Sequence, residues 1–197
     1  MDRMAITGVI LAGGLGRRMG GVDKGLQLLD GKPLVRHVAE RLAPQVGALA
    51  INANRSTADY AALGYSVLPD EVPDFAGPLA GLHAALGATA TSLVLSVPCD
   101  SPYLPLDLAH RLHAGLWAGG ADLAIARAGG RLHPVFCLCR TTLKDALAAY
   151  LAAGGRRVAQ WCGDMGAAIV DFDDQPSAFD NFNTLQDLID KPSRSST

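Results

Sequence analysis

The sequence lacks the features that mark several large classes of protein. Lys and Arg number 17 against 19 Asp and Glu, a formal net charge of −2, which excludes a polybasic protein that binds nucleic acid through bulk charge. No apolar run approaches the length of a transmembrane helix, so no membrane partner is expected. The first five residues lead into a strand-like run without a signal-peptide pattern, and the cytoplasm is the expected compartment.

Cysteine is scarce and shows no metal-binding pattern. The four cysteines are Cys99, Cys137, Cys139 and Cys162, and no two of them form a C-x-x-C motif. Their positions within apolar segments favour buried, reduced thiols over a zinc site or a disulfide.

The chain also has no internal repeat and no linker rich in Pro, Gly or Ser. We therefore expect one domain over residues 1–190 and a flexible polar tail over 191–197. Strand-like and helix-like segments alternate, which predicts an α/β fold with three layers, α/β/α, around a Rossmann-like, mostly parallel sheet. The predicted strands are 6–11, 48–53, 65–68, 93–97, 123–126, 135–139 and 167–172, and the predicted helices are 33–42, 57–63 (capped by Ser56 or Thr57), 78–86, 105–117 and 143–151.

One glycine-rich segment carries the strongest chemical signal. Residues 11–20 read LAGGLGRRMG, directly after the first predicted strand, and Asp23 and Lys24 follow shortly behind. Glycines allow a tight turn whose amide groups point at an anion, and Arg17, Arg18 and Lys24 place cations around it. The segment therefore predicts a phosphate-binding loop, because a turn that needs glycine only for its shape has no use for three cations.

The spacing of this loop differs from the two commonest phosphate-binding motifs. The spacing of Gly14, Gly16 and Gly20 is one residue longer than that of the dinucleotide fingerprint. The two arginines between them, Arg17 and Arg18, also argue against that motif. A mononucleotide P-loop would need four residues between its two glycines and a hydroxyl-bearing residue after its lysine. Here five residues separate Gly25 from Gly31, and Pro33 follows Lys32.

The loop together with Asp23-Lys24 resembles the signature of the NTP-transferase fold, in the branch of the molybdenum cofactor guanylyltransferases. The resemblance runs from Ile6 to about Leu188. It implies transfer of GMP from GTP to the terminal phosphate of molybdenum-bound molybdopterin, with Mg²⁺ as cofactor and pyrophosphate as the second product. Molybdenum-insertion proteins and acceptor molybdoenzymes are the protein partners that it suggests.

Asp100 stands directly after the apolar strand predicted at 93–97, in the sequence Cys99-Asp100-Ser101-Pro102. Ligands of α/β sheets bind beyond the carboxyl ends of strands, and Mg²⁺ prefers carboxylate oxygens completed by water and substrate phosphates. The resemblance makes Asp100 the metal ligand and a contact of the nucleotide. The alternative is an aspartate that only caps the turn before Pro105.

The resemblance assigns further roles residue by residue. Arg18, Lys24 and Asp100 are the catalytic candidates. The candidates for GTP binding are Leu11, Ala12, Gly13, Gly14, Gly16, Lys24, Asn52, Asp70, Gly77, Gly81 and Asp100, and those for molybdopterin binding are Arg156, Asn181 and Asn183. Several have a plainer alternative: Asn52 as a strand-end turn, Asp70 as part of a generic loop, Lys24 as a surface lysine, Gly81 as a packing glycine, Asn181 and Asn183 as part of a helix cap, and Arg156 as part of a solvated face.

Three other functions stay open from the sequence. Relatives that transfer CMP to molybdopterin or nucleotides to sugar phosphates usually have alanine at the position of Gly13, and a smaller residue leaves room for a purine. A catalytically idle nucleotide-binding module would have no need of Arg18, Lys24 and Asp100 together. A dinucleotide-dependent oxidoreductase would need an acidic residue about 20 positions past the loop, and Asp30 and Glu40 are its candidates.

Overall fold

A computed structural model describes residues 1–13, 23–71 and 77–182 of the protein. The strands are β1 (Ile6–Leu11), β2 (Leu28–Leu29), β3 (Lys32–Pro33), β4 (Ala48–Asn52), β5 (Ser66–Leu68), β6 (Leu93–Pro98), β7 (Leu123–Ala128), β8 (Arg131–Arg140) and β9 (Ala168–Asp171). The helices are α1 (Leu34–Leu42), α2 (Thr57–Ala61), α3 (Pro78–Ala88), α4 (Leu108–Ala118), α5 (Lys144–Ala152) and α6 (Val158–Asp164). The predicted tail, 191–197, lies outside the described residues.

Seven strands form one sheet in the order β5-β4-β1-β6-β8-β7-β9. The pairs β4–β5, β1–β4, β1–β6 and β7–β9 are parallel, whereas β8 runs antiparallel to both β6 and β7. The prediction of a mostly parallel sheet is therefore confirmed. The antiparallel β8 follows from the hairpin that joins it to β7, because Gly129 and Gly130 both adopt positive φ angles at the turn.

The sheet is covered on both faces, as its apolar central strands require. Alternate residues of β1 enter different cores: Ile6 and Ile10 pack in the cluster that contains α1 and α4, and Val9 packs in the cluster that contains α3, α5 and α6. Successive side chains of a strand point to opposite faces, so an unbroken apolar run such as β1 needs a helical layer on each side. This arrangement gives the three layers that the sequence predicts.

The four cysteines are buried, as expected. Cys137 and Cys139 on β8 pack beside Cys162 on α6, and hydrogen bonds among the three thiols, together with burial, hold the pKa of Cys137 above its usual value. Burial also raises the pKa of Cys99. The thiols of Cys99 and Cys137 are therefore neutral core side chains at physiological pH.

Several predicted boundaries are wrong for identifiable reasons. The helix predicted from Pro33 begins at Leu34, because Lys32–Pro33 pairs with Leu28–Leu29 in a small hairpin. The helix predicted from residue 105 begins at Leu108. Ser56 does precede α2, but its φ of 50° is left-handed and its side chain makes no capping hydrogen bond, so the predicted cap is wrong. Helix α6 and the β2–β3 hairpin were not predicted at all.

Among the described residues, no helix is both long enough and apolar enough to cross a membrane.

Candidate active site

A cleft opens where the carboxyl ends of β4, β1 and β6 meet. Leu11 is in register with Asn52 on one side and with Pro98 on the other, so the three strands finish at the same level. The backbone pairing continues past the strand ends, because the Ala12 N–H donates to Asn52 O and the Cys99 N–H donates to Leu11 O. The cleft has a volume of about 210 Å³ and is lined by Leu11, Ala12, Gly13, Lys24, Asn52, Gly77, Pro78, Pro98, Cys99 and Asp100.

Asp100 and Lys24 form an ion pair inside this cleft. The Lys24 ammonium donates to Asp100 Oδ2 at 2.8 Å, although 76 residues separate the two in sequence. Asp100 is only 8% exposed. Because its carboxylate accepts from Lys24 rather than from the following turn, the alternative role of Asp100 as a cap does not describe the structure.

The second carboxylate oxygen of Asp100 is unusual. Asp100 Oδ1 is buried and has no hydrogen-bond partner among the described residues. A buried charged oxygen without a partner is costly, and a hard cation coordinated there would remove that cost. Within the described ranges no group of three His, Cys, Asp or Glu side chains stands ready to hold a metal, so a cation at Asp100 would need further oxygen atoms from water or a bound ligand. This is the ligand set that suits Mg²⁺.

A group of amide and carboxylate side chains, here called the wall, extends from the cleft at the end of β4, and of its members Asn52 lines the cleft itself. Asn52, only 2% exposed, donates both amide hydrogens of Nδ2, one to Leu68 O at 3.0 Å and one to Asp70 Oδ1 at 2.9 Å. These bonds fix the orientation of the amide, so Asn52 Oδ1 is the atom left to accept from a ligand. The strand-end asparagine therefore does more than form a turn, because its amide also binds the carboxylate of Asp70.

Asn54 completes this wall and was not among the predicted site residues. Its Nδ2 donates to Asp70 Oδ2 at 2.6 Å, and its Oδ1 accepts from the Asp70 backbone N–H at 2.8 Å. Both oxygens of Asp70 are thus held by an asparagine amide. The signal for Asn54 was present in the sequence, because Asn52 and Asn54 are two residues apart in an extended segment and so share a side.

Two glycines leave room for the side chain of Asn52 in this wall. A Cβ placed on Gly81 would lie 2.1 Å from Asn52 Oδ1 and 2.6 Å from Asn52 Cγ, so Asn52 can take its position only because residue 81 has no side chain. A Cβ on Gly13 would lie 3.3 Å from the same oxygen. Gly77 precedes Pro78 at the start of α3 with a φ of 147°, which side-chain-bearing residues rarely adopt.

The end of the described chain packs against the Asp100 loop. The Phe182 N–H donates to Asp100 O at 2.9 Å, and the Ser101 hydroxyl donates to Asn181 Oδ1 at 2.7 Å. The Phe182 ring packs with Leu29, Leu34 and Tyr103. Asn181 is thus placed next to Asp100. No local sequence signal predicted the role of Ser101, because its partner lies 80 residues away.

The remaining predicted residues stand apart or lie outside the description. Arg156 donates from Nη1 to Leu151 O and to Gly155 O at the end of α5, beside a depression that shares no lining residue with the cleft. Gly14, Gly16, Arg18 and Asn183 lie outside the described residues.

The acidic residues that an oxidoreductase would require are not at the cleft. Asp30 occupies the turn of the β2–β3 hairpin with a φ of 51°. Glu40 lies on α1, where it pairs with Lys32 and Arg36. Neither residue follows a strand of the main sheet, so neither stands where a dinucleotide ribose would bind.

Comparisons with known proteins place the chain in a family. The family model of the MobA-like NTP transferase domain matches residues 8–165. The chain is 53% identical over 188 residues to a molybdenum cofactor guanylyltransferase from Cupriavidus necator, covering 93% of this chain and 94% of the relative. It is 47% identical over 182 residues to one from Shewanella putrefaciens, covering 92% and 93%.

A solved structure has the same fold at lower sequence identity. The molybdopterin-guanine dinucleotide biosynthesis protein A from Archaeoglobus fulgidus superposes with a TM-score of 0.73 at 24% identity, covering 93% of this chain and 95% of that one. The α/β architecture predicted from the order of elements is thus the fold of that solved structure. With half of its sequence shared with the bacterial relatives over nearly its whole length, the chain belongs to the molybdenum cofactor guanylyltransferase family of MobA-like NTP transferases.

Proposed function

We propose that the protein transfers GMP from GTP to the terminal phosphate of molybdenum-bound molybdopterin, giving the guanine dinucleotide form of the cofactor and pyrophosphate. The observation that carries the proposal is the cleft around Asp100. It holds one ammonium group, one unsatisfied carboxylate oxygen and, on its opposite side, an amide–carboxylate wall. In this proposal the phosphates bind near the ammonium group and the unsatisfied carboxylate oxygen, and the base binds near the wall.

Lys24 and the loop before it are proposed to hold the triphosphate. The Lys24 ammonium is already inside the cleft, 2.8 Å from Asp100, and because an ammonium group has three N–H donors it can bind a phosphate oxygen while it stays paired with the carboxylate. Arg18 and the amides of Gly14 and Gly16 are proposed to add to this charge. Nucleotidyl transfer needs in-line positioning and neutralisation of charge on the α-phosphate and on the departing pyrophosphate. The attacking phosphate monoester is anionic near neutral pH, so the site needs no strong general base.

Asp100 Oδ1 is the protein ligand that we propose for Mg²⁺. Bound there, the ion would neutralise negative charge on the phosphates of GTP. The protein's own part is to hold the carboxylate in place from two sides, since Lys24 pairs with Oδ2 and the Phe182 N–H donates to the main-chain oxygen of Asp100.

The wall formed by Asn52 and Asp70 is proposed to face the guanine, with Gly77 and Gly81 shaping it. Asn52 Oδ1 and the Asp70 carboxylate are acceptors, and guanine presents the N1–H and N2–H₂ donors on one edge. Cytosine presents one donor beside an acceptor on the corresponding edge, which such a wall suits less well. This complementarity supports GTP over CTP.

The second substrate is proposed to bind on the Asn181 side of Asp100. Asn181 is held there by Ser101, and Asn183 follows two residues later. Arg156 is a proposed contact for a phosphate of molybdopterin. Molybdenum-insertion proteins and acceptor molybdoenzymes are proposed as protein partners, and the cytoplasm as the compartment in which GTP is supplied.

The proposed reaction can be tested with purified protein. Incubation with molybdopterin, Mg²⁺ and either GTP or CTP should yield a guanine dinucleotide and pyrophosphate with GTP and little product with CTP. Turnover with CTP alone would replace the guanine assignment by a cytidylyl transfer. Transfer to a sugar phosphate but not to molybdopterin would replace the acceptor.

The base preference should depend on Gly13. In Gly13→Ala the new methyl group would stand 3.3 Å from Asn52 Oδ1 and 3.5 Å from Asn54 Nδ2, so it narrows the space beside the base. One extra methyl group in a pocket is worth roughly 10-fold or more in specificity, and we expect the ratio of kcat/KM for GTP over that for CTP to fall by about that factor. An unchanged ratio would remove Gly13 from base selection.

A further inference from the structure

A buried tyrosine, Tyr60, lies next to the chain segment that carries Lys24, the residue that the proposed reaction needs for phosphate binding. Tyr60 on α2 is 0% exposed, and its hydroxyl donates to Asp23 Oδ1. The same hydroxyl faces Gly25, where an added Cβ would lie 2.5 Å from it. Asp23 and Gly25 are the two neighbours of Lys24 in the chain. One hydroxyl group therefore bonds to the side chain on one side of Lys24 and occupies the space beside the glycine on the other.

The environment keeps this hydroxyl a donor. Burial raises the pKa of Tyr60 well above its usual value, and the nearby Cys99 and Asp23 raise it further, so the phenol stays protonated. Asp23 precedes the 3-10 helix Lys24–Leu26, a position at which aspartate commonly bonds to the helix N–H groups. Here its side chain makes no such capping bond and accepts from Tyr60 instead. The carboxylate thus joins α2 to the Lys24 segment.

This contact spans two parts of the cleft. Helix α2 follows β4, whose end carries Asn52, so Tyr60 belongs to the element behind the base-facing wall. Its hydrogen bond is made to the segment that delivers Lys24 to Asp100. We propose that Tyr60 is a positioning residue for Lys24, fixing the Asp23–Gly25 segment so that the ammonium group meets the phosphates of GTP. The proposal rests on the proposed function, because it takes Lys24 to bind GTP.

The test is a set of variants read by GTP affinity. Tyr60→Phe keeps the ring in the core and removes only the hydroxyl, and Asp23→Ala removes its acceptor. Each should weaken GTP binding, measured by calorimetric titration with Mg²⁺, by about tenfold, the usual cost of a lost hydrogen bond to a charged group. The double variant should bind GTP no more weakly than either single variant, since both remove one interaction. Asp23→Asn keeps an acceptor oxygen and should restore most of the affinity.

A matched control separates positioning from general packing. Tyr65→Phe removes a hydroxyl from a half-buried tyrosine on the same side of the sheet and should leave the affinity for GTP unchanged. The melting temperature of every variant is measured beside its affinity. The proposal is overturned if Tyr60→Phe binds GTP as the wild type does, if the effects of the two single variants add, or if Asp23→Asn is as weak as Asp23→Ala. Wild-type protein that binds GTP but transfers nothing to molybdopterin would contradict the proposed function while leaving this test intact.

Discussion

Asp100→Asn should lower kcat for guanylyl transfer by about 10³-fold or more, because the loss of charge stabilisation at a reacting phosphate costs several kcal/mol. The change keeps the shape of the side chain but removes the negative charge that faces the proposed metal site through Oδ1. It also replaces the carboxylate that now pairs with Lys24 at 2.8 Å. Steady-state kinetics with GTP and molybdopterin at several Mg²⁺ concentrations measures the effect.

An aspartate at the other end of the sheet provides the control. Asp122 pairs with Arg140 at 3.2 Å just before β7, and its side chain is 61% exposed. Asp122→Asn should therefore retain activity, since exposed ion pairs contribute little to stability. Both variants should melt within a few degrees of the wild type. Near-normal turnover by a folded Asp100→Asn protein would remove Asp100 from the reaction.

Gly81→Ala should weaken GTP binding by about tenfold or more, because hydrogen bonds to charged groups contribute roughly 1.5–3 kcal/mol and the change disturbs one. The methyl group would stand 2.1 Å from Asn52 Oδ1, so Asn52 has to move. Its movement breaks the donations to Leu68 O and Asp70 Oδ1 and loosens the wall of the cleft. Titration with GTP measures the loss.

Gly115→Ala tests whether crowding alone produces this result. Gly115 is also a helical glycine, and a Cβ there would lie 2.2 Å from Val170 Cγ2, between α4 and β9. The two variants share the gain in helix propensity and a similar steric conflict, but the methyl group on Gly81 would meet Asn52 and Leu11, which line the cleft, whereas that on Gly115 would meet Val170, which does not. Gly115→Ala should lose stability and keep its affinity for GTP. Equal losses of affinity in both variants would mean that the wall around Asn52 has no special part in binding.

The sequence predicted those parts of the site that depend on strand ends. Ligands of α/β sheets were expected beyond the carboxyl ends of strands, and Leu11, Asn52 and Asp100, at the ends of β1, β4 and β6, do line one cleft. The expectation required only apolar runs and the polar residues that end them. Asn54 was within reach of the same argument, since it shares a side of an extended segment with Asn52.

Contacts between distant segments were beyond sequence reasoning. The Ser101–Asn181 hydrogen bond and the Tyr60–Asp23 hydrogen bond join residues 80 and 37 positions apart. Their geometry depends on how loops pack over the sheet edge, which no local pattern encodes. The antiparallel β8 was missed for a related reason: a buried apolar strand gives the same pattern in either direction, and the Gly129-Gly130 turn was not interpreted as a hairpin.

The proposed site is tested most directly by locating the metal and the nucleotide together. Crystals grown with Mn²⁺ in place of Mg²⁺ and a GTP analogue that resists cleavage between the α- and β-phosphates would reveal the ion by its anomalous scattering. We expect one strong peak within coordination distance of Asp100 Oδ1, with the guanine against Asn52 and Asp70. A nucleotide and ion bound elsewhere, for instance in the depression beside Arg156, with the Asp100 cleft empty, would contradict it.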